Sequence, residues 1–219
     1  MAYSPEADLA AVTLLANAPL VLVVNPEVAA MSVKDLVNLA KKSPGQLSFA
    51  SAGASSVPHL AGESLKYLTN IDVIHVPYQG GGPATIDLLG GRVSFAFLGL
   101  APIMGHIKSG KLRALAISSP RRSANAPDIP TVEEVMGWPS FDYSNWIGAF
   151  VPASTPPATI AKLQEAMAAA IASPEVRSKL GQQGIDPVGT STEEFNRFWK
   201  QDVEKYARII KAAGVEAEN

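Results

Sequence analysis

Apolar positions along the chain switch between two periods. Residues 20–24 form an unbroken apolar run stopped by Asn25-Pro26 and read as a strand. Ser32 then stands where an N-cap belongs, and Val33, Leu36, Val37 and Ala40 recur at i, i+3, i+4 and i+7, one helical stripe that Ser43-Pro44-Gly45 breaks. The alternation continues downstream. Residues 47–50 predict a short strand, 51–57 a loop of small residues, and Pro58 the N1 position of a helix striped by Leu60, Ala61, Ser64, Leu65 and Leu68. A strand follows over 73–76, then the loop Gln79-Gly80-Gly81-Gly82, with Pro83 opening a helix to Leu89. Residues 93–97 form the next strand, and Leu98-Gly99-Leu100 turns into a helix over about 102–108, with Gly110 at its C-terminal glycine position. Residues 112–117 predict another strand.

Thr131-Val132-Glu133-Glu134 matches a capping box, with Thr131 at N-cap and Glu134 at N3. A strand over 146–151 closes the mixed region. The remainder is helical: 160–172, then Ser173-Pro174 to Gly184, then a helix to Gly214 opened by a second capping box from Ser191 to Glu194. Strand alternating with helix predicts parallel pairing and an α/β sheet covered on both faces.

Composition sharpens this picture. Of 219 residues, 47% are hydrophobic and 17% charged, enough apolar surface for a packed domain or two small lobes. Lys plus Arg total 18 against 20 acidic residues, a net charge of -2 that argues against nucleic acid as partner. The absence of Cys excludes disulfides and thiol chemistry, and 3 His leave little for a histidine-rich metal site. No apolar run approaches the roughly 20 residues of a membrane span. Met1, Ala2 and Tyr3 lead straight into Ser4-Pro5-Glu6-Ala7-Asp8, without the basic and apolar regions of a signal peptide, so the opening by itself predicts a cytoplasmic chain.

Two strand-to-helix loops carry candidate chemistry. In the first, Ser51, Ala52, Gly53, Ala54, Ser55 and Ser56 lead into Val57-Pro58-His59. Small side chains let a ligand reach the backbone. The first helical N–H groups lack partners, and the helix dipole favours an anion there. An ordinary capped turn explains the same residues. In the second, Tyr78-Gln79-Gly80-Gly81-Gly82 repeats the arrangement, and its glycines permit positive φ and close approach. Such loops converge at the carboxyl ends of parallel strands, where the turn at Leu98 and Gly99 would join them. Neither loop matches a nucleotide fingerprint, and neither holds Lys or Arg, which favours a carboxylate over a phosphate. No nucleophile elbow or zinc-protease motif is present. His75, inside an apolar strand, reads as core. His106 reads as a contact at a helix C-terminus, His59 as helix packing or ligand contact, and Arg121-Arg122 as a solvated pair.

Several separate runs resemble the substrate-binding proteins of tripartite tricarboxylate transporters, the Bug receptors. They are Pro44-Gly45-Gln46-Leu47-Ser48-Phe49-Ala50-Ser51, His59-Leu60-Ala61-Gly62-Glu63 and His75-Val76-Pro77-Tyr78-Gln79-Gly80-Gly81, then His106-Ile107-Lys108-Ser109-Gly110-Lys111-Leu112-Arg113-Ala114-Leu115-Ala116 and Pro127-Asp128-Ile129-Pro130-Thr131. The resemblance implies a type II periplasmic-binding fold: two α/β lobes of parallel or mixed sheet, joined by crossing strands, with a small carboxylate in the cleft. It also implies a periplasmic location, delivery of the ligand to membrane permease subunits, and neither enzymatic activity, cofactor nor metal. Carried over, the ligand-facing positions are Ser51, Ala52, Gly53, Ala54, Ser55, Ser56, His59, Tyr78, Gly80, Gly81, Gly82, Leu98 and Gly99. Where family members commonly carry an Asp, this chain has Leu98-Gly99-Leu100.

The same resemblance places the chain's start near the family's middle. Residues 23–145 are then expected to form a complete second lobe. Residues 1–22 and 146–219 would be the remnant of an incomplete first lobe with its C-terminal helices. That expectation brings two others. One is a rival reading as a truncated structural fragment without ligand binding. The other is self-association through apolar faces at Ile160, Leu163, Met167 and Ile171, then Phe195, Phe198 and Trp199. An α/β enzyme on this scaffold is a further rival. Ligand-induced thermal stabilisation without turnover separates the receptor from both.

Overall fold

The computed structural model describes residues 3–139 and 141–215. The elements run α1 (Pro5–Asp8), β1 (Leu9–Val24), α2 (Val33–Lys42), β2 (Ser48–Ser51), α3 (Val57–Thr69), β3 (Ile74–Pro77), α4 (Gly81–Leu89), β4 (Phe95–Gly99), α5 (Leu100–Lys108), β5 (Arg113–Ile117), α6 (Val132–Met136), β6 (Ser144–Pro152), α7 (Pro157–Ala172), α8 (Pro174–Gln182), β7 (Asp186–Pro187) and α9 (Thr192–Ala213). They fall into two compact units, a small one bounded Met1–Ala18 with Asn145–Lys205 and a large one bounded Pro19–Ser144 with Tyr206–Asn219. The expected divisions at 22/23 and 145/146 thus lie four residues and one residue further along the chain than the observed ones, and the end of α9 belongs to the large unit.

The large unit is a five-stranded sheet in the order β3-β2-β4-β1-β5. β2 pairs in parallel with both β3 and β4, whereas β1 pairs antiparallel with β4 and β5. The strand–helix alternation thus pairs β2, β3 and β4 in parallel as expected, and the sheet as a whole is mixed.

Alternation along each strand sends side chains to opposite faces. Leu20, Leu22, Phe49, Phe95 and Phe97 pack on one face against Val33, Leu36, Val37 and Ala40 of α2, Leu60, Ala61 and Leu65 of α3, and Val132 of α6. Val21, Val23, Ala50, Ala96 and Leu98 pack on the other against Ala84 and Leu88 of α4 and Leu100 and Ile103 of α5. All four residues of the predicted α2 stripe are buried, and Ser32 caps that helix by accepting from the Asp35 N–H at 3.1 Å.

In the small unit, β6 and β7 pair with β1, the latter antiparallel at Ala16 and Asn17. Ala11, Leu14 and Phe195 form its buried core, packed by Trp146, Phe150, Phe198 and Trp199. β1 is much longer than the predicted run of 20–24, since Pro19 lies inside the strand instead of breaking it. α7 and α8 contain no fully buried residue. Among the described residues, no helix is long and apolar enough to cross a membrane.

Candidate functional site

β2, β3 and β4 run in one direction, so their carboxyl ends, Ser51, Pro77 and Gly99, share one edge of the large unit's sheet. Each end feeds a helix almost at once: α3 begins at Val57, α4 at Gly81 and α5 at Leu100. Helix starts carry unpaired N–H groups and the positive end of the macrodipole, so this edge gathers partial positive charge without any cationic side chain in the three connections. The 51–56 loop and the chain leaving β3 at Tyr78 are direct neighbours. The Tyr78 N–H donates to the Ser51 carbonyl at 3.1 Å, and a Cβ on Gly53 would lie 3.6 Å from the Tyr78 carbonyl oxygen.

The first loop is tied by its own side chains. The Ser51 hydroxyl donates to the Gly53 carbonyl at 3.0 Å and accepts from the Gly53 N–H at 3.3 Å. The Ser56 hydroxyl donates to the same carbonyl at 2.7 Å and caps α3 by accepting from the His59 N–H. Val57, not Pro58, is therefore the first helical residue, one position earlier than the proline signalled. Gly53 has φ 124° and Ser55 φ 61°, the second an uncommon conformation for a residue with a Cβ. Ala52, Gly53 and Ala54 are half-buried and Ser55 is exposed. What this loop offers a ligand is the accessible backbone around the exposed Ser55, because the Ser51 and Ser56 hydroxyls hold the loop itself.

The second loop is open. Gly80 is the N-cap of α4 at φ 105°, and a Cβ on Gly80, Gly81 or Gly82 would meet nothing within 4 Å. The helix starts two residues before Pro83, so Gly81 and Gly82 present first-turn N–H groups. Tyr78 does not aim its hydroxyl at this edge. It donates to Asp87 Oδ2 at 2.8 Å, and Asp87 Oδ1 is held by Arg92 Nη1 at 2.6 Å. Burial first, and then the bond to Asp87, push the Tyr78 phenol up. The Tyr78 and Arg92 hydrogen bonds hold the Asp87 carboxyl below its usual range. At the third connection, Leu98 is 3% exposed and packs in the core, so its side chain is withheld, while Gly99 caps α5 with open space around it.

His75 was expected in the core and is instead half-buried on the edge strand β3. Its Nε2 is hydrogen-bonded to Ser51 Oγ at 2.7 Å. Its ring stacks on His59 at 3.8 Å with 8° between planes, and on Phe49 at 4.8 Å. His59, 7% exposed, accepts from the Ser55 N–H through Nδ1 at 3.0 Å, so it packs within the site's frame and turns its ring away from solvent. Burial is the main cause pulling both imidazoles down, His75 to about 4. His75 was missed because its partners lie 16 and 24 residues away, and a lone His in an apolar strand gives no local sign of them. Of the Arg pair, both are exposed, and Arg122 binds Glu134 at 2.9 Å. Among the described residues no cluster of His, Asp and Glu is placed to hold a metal ion.

The profile of the tripartite tricarboxylate transporter family receptor matches residues 1–215. Protein BugT of Bordetella pertussis is 34% identical over 212 residues, 97% of this chain and 65% of the relative. The chain spans 62% to 65% of the length of the first curated relatives that it matches. Three solved structures share the fold. An R. palustris protein with adipate has 28% identity, TM-score 0.80, and coverage of 98% of this chain and 72% of its own. The periplasmic binding protein BugD has 29% identity, TM-score 0.77, and coverage of 99% and 73%. MatC from Rhodopseudomonas palustris with bound malate has 27% identity, TM-score 0.74, and coverage of 97% and 72%.

Proposed function

The chain belongs to the tripartite tricarboxylate transporter receptor family, and from that premise we propose that it captures a small organic carboxylate and presents it to the permease of such a transporter. One observation carries the reading. Three helix starts meet at one sheet edge beside glycines and small residues, with no cationic side chain in the connections. A carboxylate is satisfied by N–H and O–H donors, whereas a phosphate would draw a cation. Adipate and malate in two relatives support the same ligand class. The groups we assign to contact are the backbone of Ala52, Gly53 and Ala54 around the exposed Ser55, the N–H groups of Gly81 and Gly82, and the Gly99 turn. Ser51, Ser56, His59, Tyr78, Gly80 and Leu98 shape this edge. The role is capture without turnover, and the periplasmic binding protein BugD supports a periplasmic location.

Calorimetry with adipate and malate tests the reading, with Gly81→Asp as the decisive variant. A Cβ at Gly81 meets no atom, and an acidic residue in the first turn favours the helix, so the variant folds. It sets a negative charge against the incoming carboxylate, and affinity falls about tenfold or more. Binding that survives Gly81→Asp unchanged removes the site from this edge. Absence of heat with every small carboxylate overturns the function. The proposal includes self-association of the small unit, supported by α7, where Ile160, Leu163, Met167 and Ile171 are only half-buried. Light scattering that finds a 23.0 kDa monomer overturns that part.

A further inference from the structure

The imidazoles of His59 and His75 stack at 3.8 Å in the large unit, and capture of a carboxylate as described above uses neither ring directly. We propose that they are positioning residues, holding the 51–56 loop in the backbone that receives the carboxylate, and that this hold exists only while His59 is neutral. The inference rests on the carboxylate reading and adds to it the means by which the loop is set.

The loop needs such a hold. Ser55 sits at φ 61°, a conformation that a residue with a Cβ disfavours, so surrounding contacts must support it. A bond that supports it is the Ser55 N–H donated to His59 Nδ1. An amide N–H can only donate, so Nδ1 carries no proton and the neutral ring is the Nε2–H tautomer. The same bond removes the Ser55 amide from the donors available to a ligand. His75 secures the other end of the loop through Ser51 Oγ, whose hydroxyl bridges Gly53. Stacking at 3.8 Å joins the two holds into one unit, with Phe49 as its floor.

A proton on Nδ1 turns the acceptor into a donor facing a donor, and the Ser55 conformation loses its support. The groups that bias this proton are few. From α3, Glu63 Oε1 lies 3.8 Å from His59 Nε2 and favours the cation, but Lys66 holds the same oxygen at 2.9 Å and opposes it. From β3 the facing group is His75, which cannot share a stack with a second cation. From β2 the neighbours are the uncharged Phe49 and Ser51. Burial adds to the preference for the neutral form.

The test compares wild type with His59→Asn and His59→Phe. Asn places a non-titrating oxygen near the Nδ1 position, whereas Phe keeps a flat ring and removes the acceptor. The expected result has three parts. Nitrogen NMR near neutral pH shows His59 as the Nε2–H tautomer. The Ser55 amide exchanges about tenfold faster in His59→Phe, yet stays protected in His59→Asn. Adipate or malate affinity falls about tenfold in His59→Phe and is kept in His59→Asn, and only wild type loses additional affinity between about pH 7 and pH 4.5. Because the ligand's own protonation is common to wild type and His59→Asn, the difference between their pH profiles isolates the histidine. An Nδ1–H tautomer, an unprotected Ser55 amide in wild type, or equal pH profiles for wild type and His59→Asn overturns the proposal. If neither dicarboxylate binds wild type, the carboxylate reading fails, while the tautomer and the Ser55 exchange rates still decide whether the imidazoles hold the loop.

Discussion

The large unit buries apolar side chains on both faces of its sheet, so its packing is spread over two layers and five helices. The small unit gathers its burial around one ring. Phe195 is 0% exposed and meets Trp146, Phe150 and Phe198, while α7 and α8 contribute no buried residue. Distributed burial tolerates a local loss; burial centred on one side chain does not. The candidate site sits on the distributed unit, which suits an edge whose loops must keep strained backbone in place.

The most direct way to break this contrast is Phe195→Ala. Deleting a buried Phe costs about 3–5 kcal/mol, and Trp146, Phe150 and Phe198 all pack on this one ring. Trp146 and Trp199 lie in the small unit and Trp138 in the large one. Tryptophan emission is expected to report unfolding of the small unit in lower urea, while circular dichroism retains a later transition. A single shared transition, shifted as a whole, would show that the two units unfold as one. Glycine contacts give a finer comparison. A Cβ on Gly148 would overlap the Phe195 ring, and one on Gly62 would overlap the Phe49 ring. Overpacking typically costs about 1–3 kcal/mol. Gly148→Ala is expected at the upper end, because Phe195 has nowhere to move. Gly62→Ala is expected to disturb the Phe49–His75–His59 stack as well, which slower or weaker carboxylate binding would reveal.

Acid separates the units again, since His59, His75 and His106 all lie within the large one. Burial first, then His59 and Lys66, pull His75 down to about 4 from 6.5. The unfolded chain therefore takes up a proton before the fold does. Stability is fully present above about pH 6.5 and is lost as pH falls towards 4. The whole shift corresponds to about 3 kcal/mol, and solvent screening of a half-buried ring reduces it to about 1–2 kcal/mol. His59, also pulled down, adds in the same direction. Urea titrations near neutral pH and near pH 4.5 are expected to show this loss in the large unit and its reduction in His75→Phe. Equal loss in both units would assign acid sensitivity to carboxylates instead. Asp87 and Glu134 of the large unit and Glu194 of the small one are held below their usual range, so their contributions disappear at lower pH.

Much of the large unit was legible because its signals are local. The α2 stripe, both capping boxes and the strand–loop–helix connections each occupy fewer than about a dozen residues, within reach of periodicity. β1 was not. Residues 11–14 are all buried, so polar alternation is absent, and Pro19 reads as a strand breaker although it lies within the strand. β7, with two residues, is too short to show a period. The candidate loops were found by their small residues, but their internal bonds were not. Ser56 capping α3 could be read from the sequence, whereas the tie between Ser51 and His75 depends on β2 and β3 lying side by side. Tyr78 shows the opposite failure: an aromatic hydroxyl at a promising position, claimed by Asp87 nine residues further along.

The smallest expected effect sharpens the comparison most, because the same motif occurs once in each unit. In the large unit, Thr131 Oγ1 accepts from the Glu134 N–H at 3.0 Å, and Glu134 Oε2 accepts from the Thr131 N–H at 2.8 Å. In the small unit, Ser191 Oγ accepts from the Glu194 N–H at 3.2 Å, and Glu194 Oε2 accepts from the Ser191 N–H at 2.9 Å. The geometry is alike but the surroundings are not. Thr131 is 2% exposed and joins Ile117 in a backbone bridge, whereas Ser191 is exposed. Loss of a cap costs about 0.5–2 kcal/mol. With water able to replace the Ser191 hydroxyl, Ser191→Ala is expected near 0.5 kcal/mol, and Thr131→Ala, which removes the Glu134 N–H acceptor together with a methyl at a buried position, near 2 kcal/mol. Helix length argues the other way, since α9 has 22 residues that depend on one start and α6 has 5. Burial wins in this comparison because fraying at an exposed start costs one turn, while the space left by the buried Thr131 side chain remains in the fold. Equal losses in urea titrations of the two variants would mean that the cap, and not its burial, sets the cost.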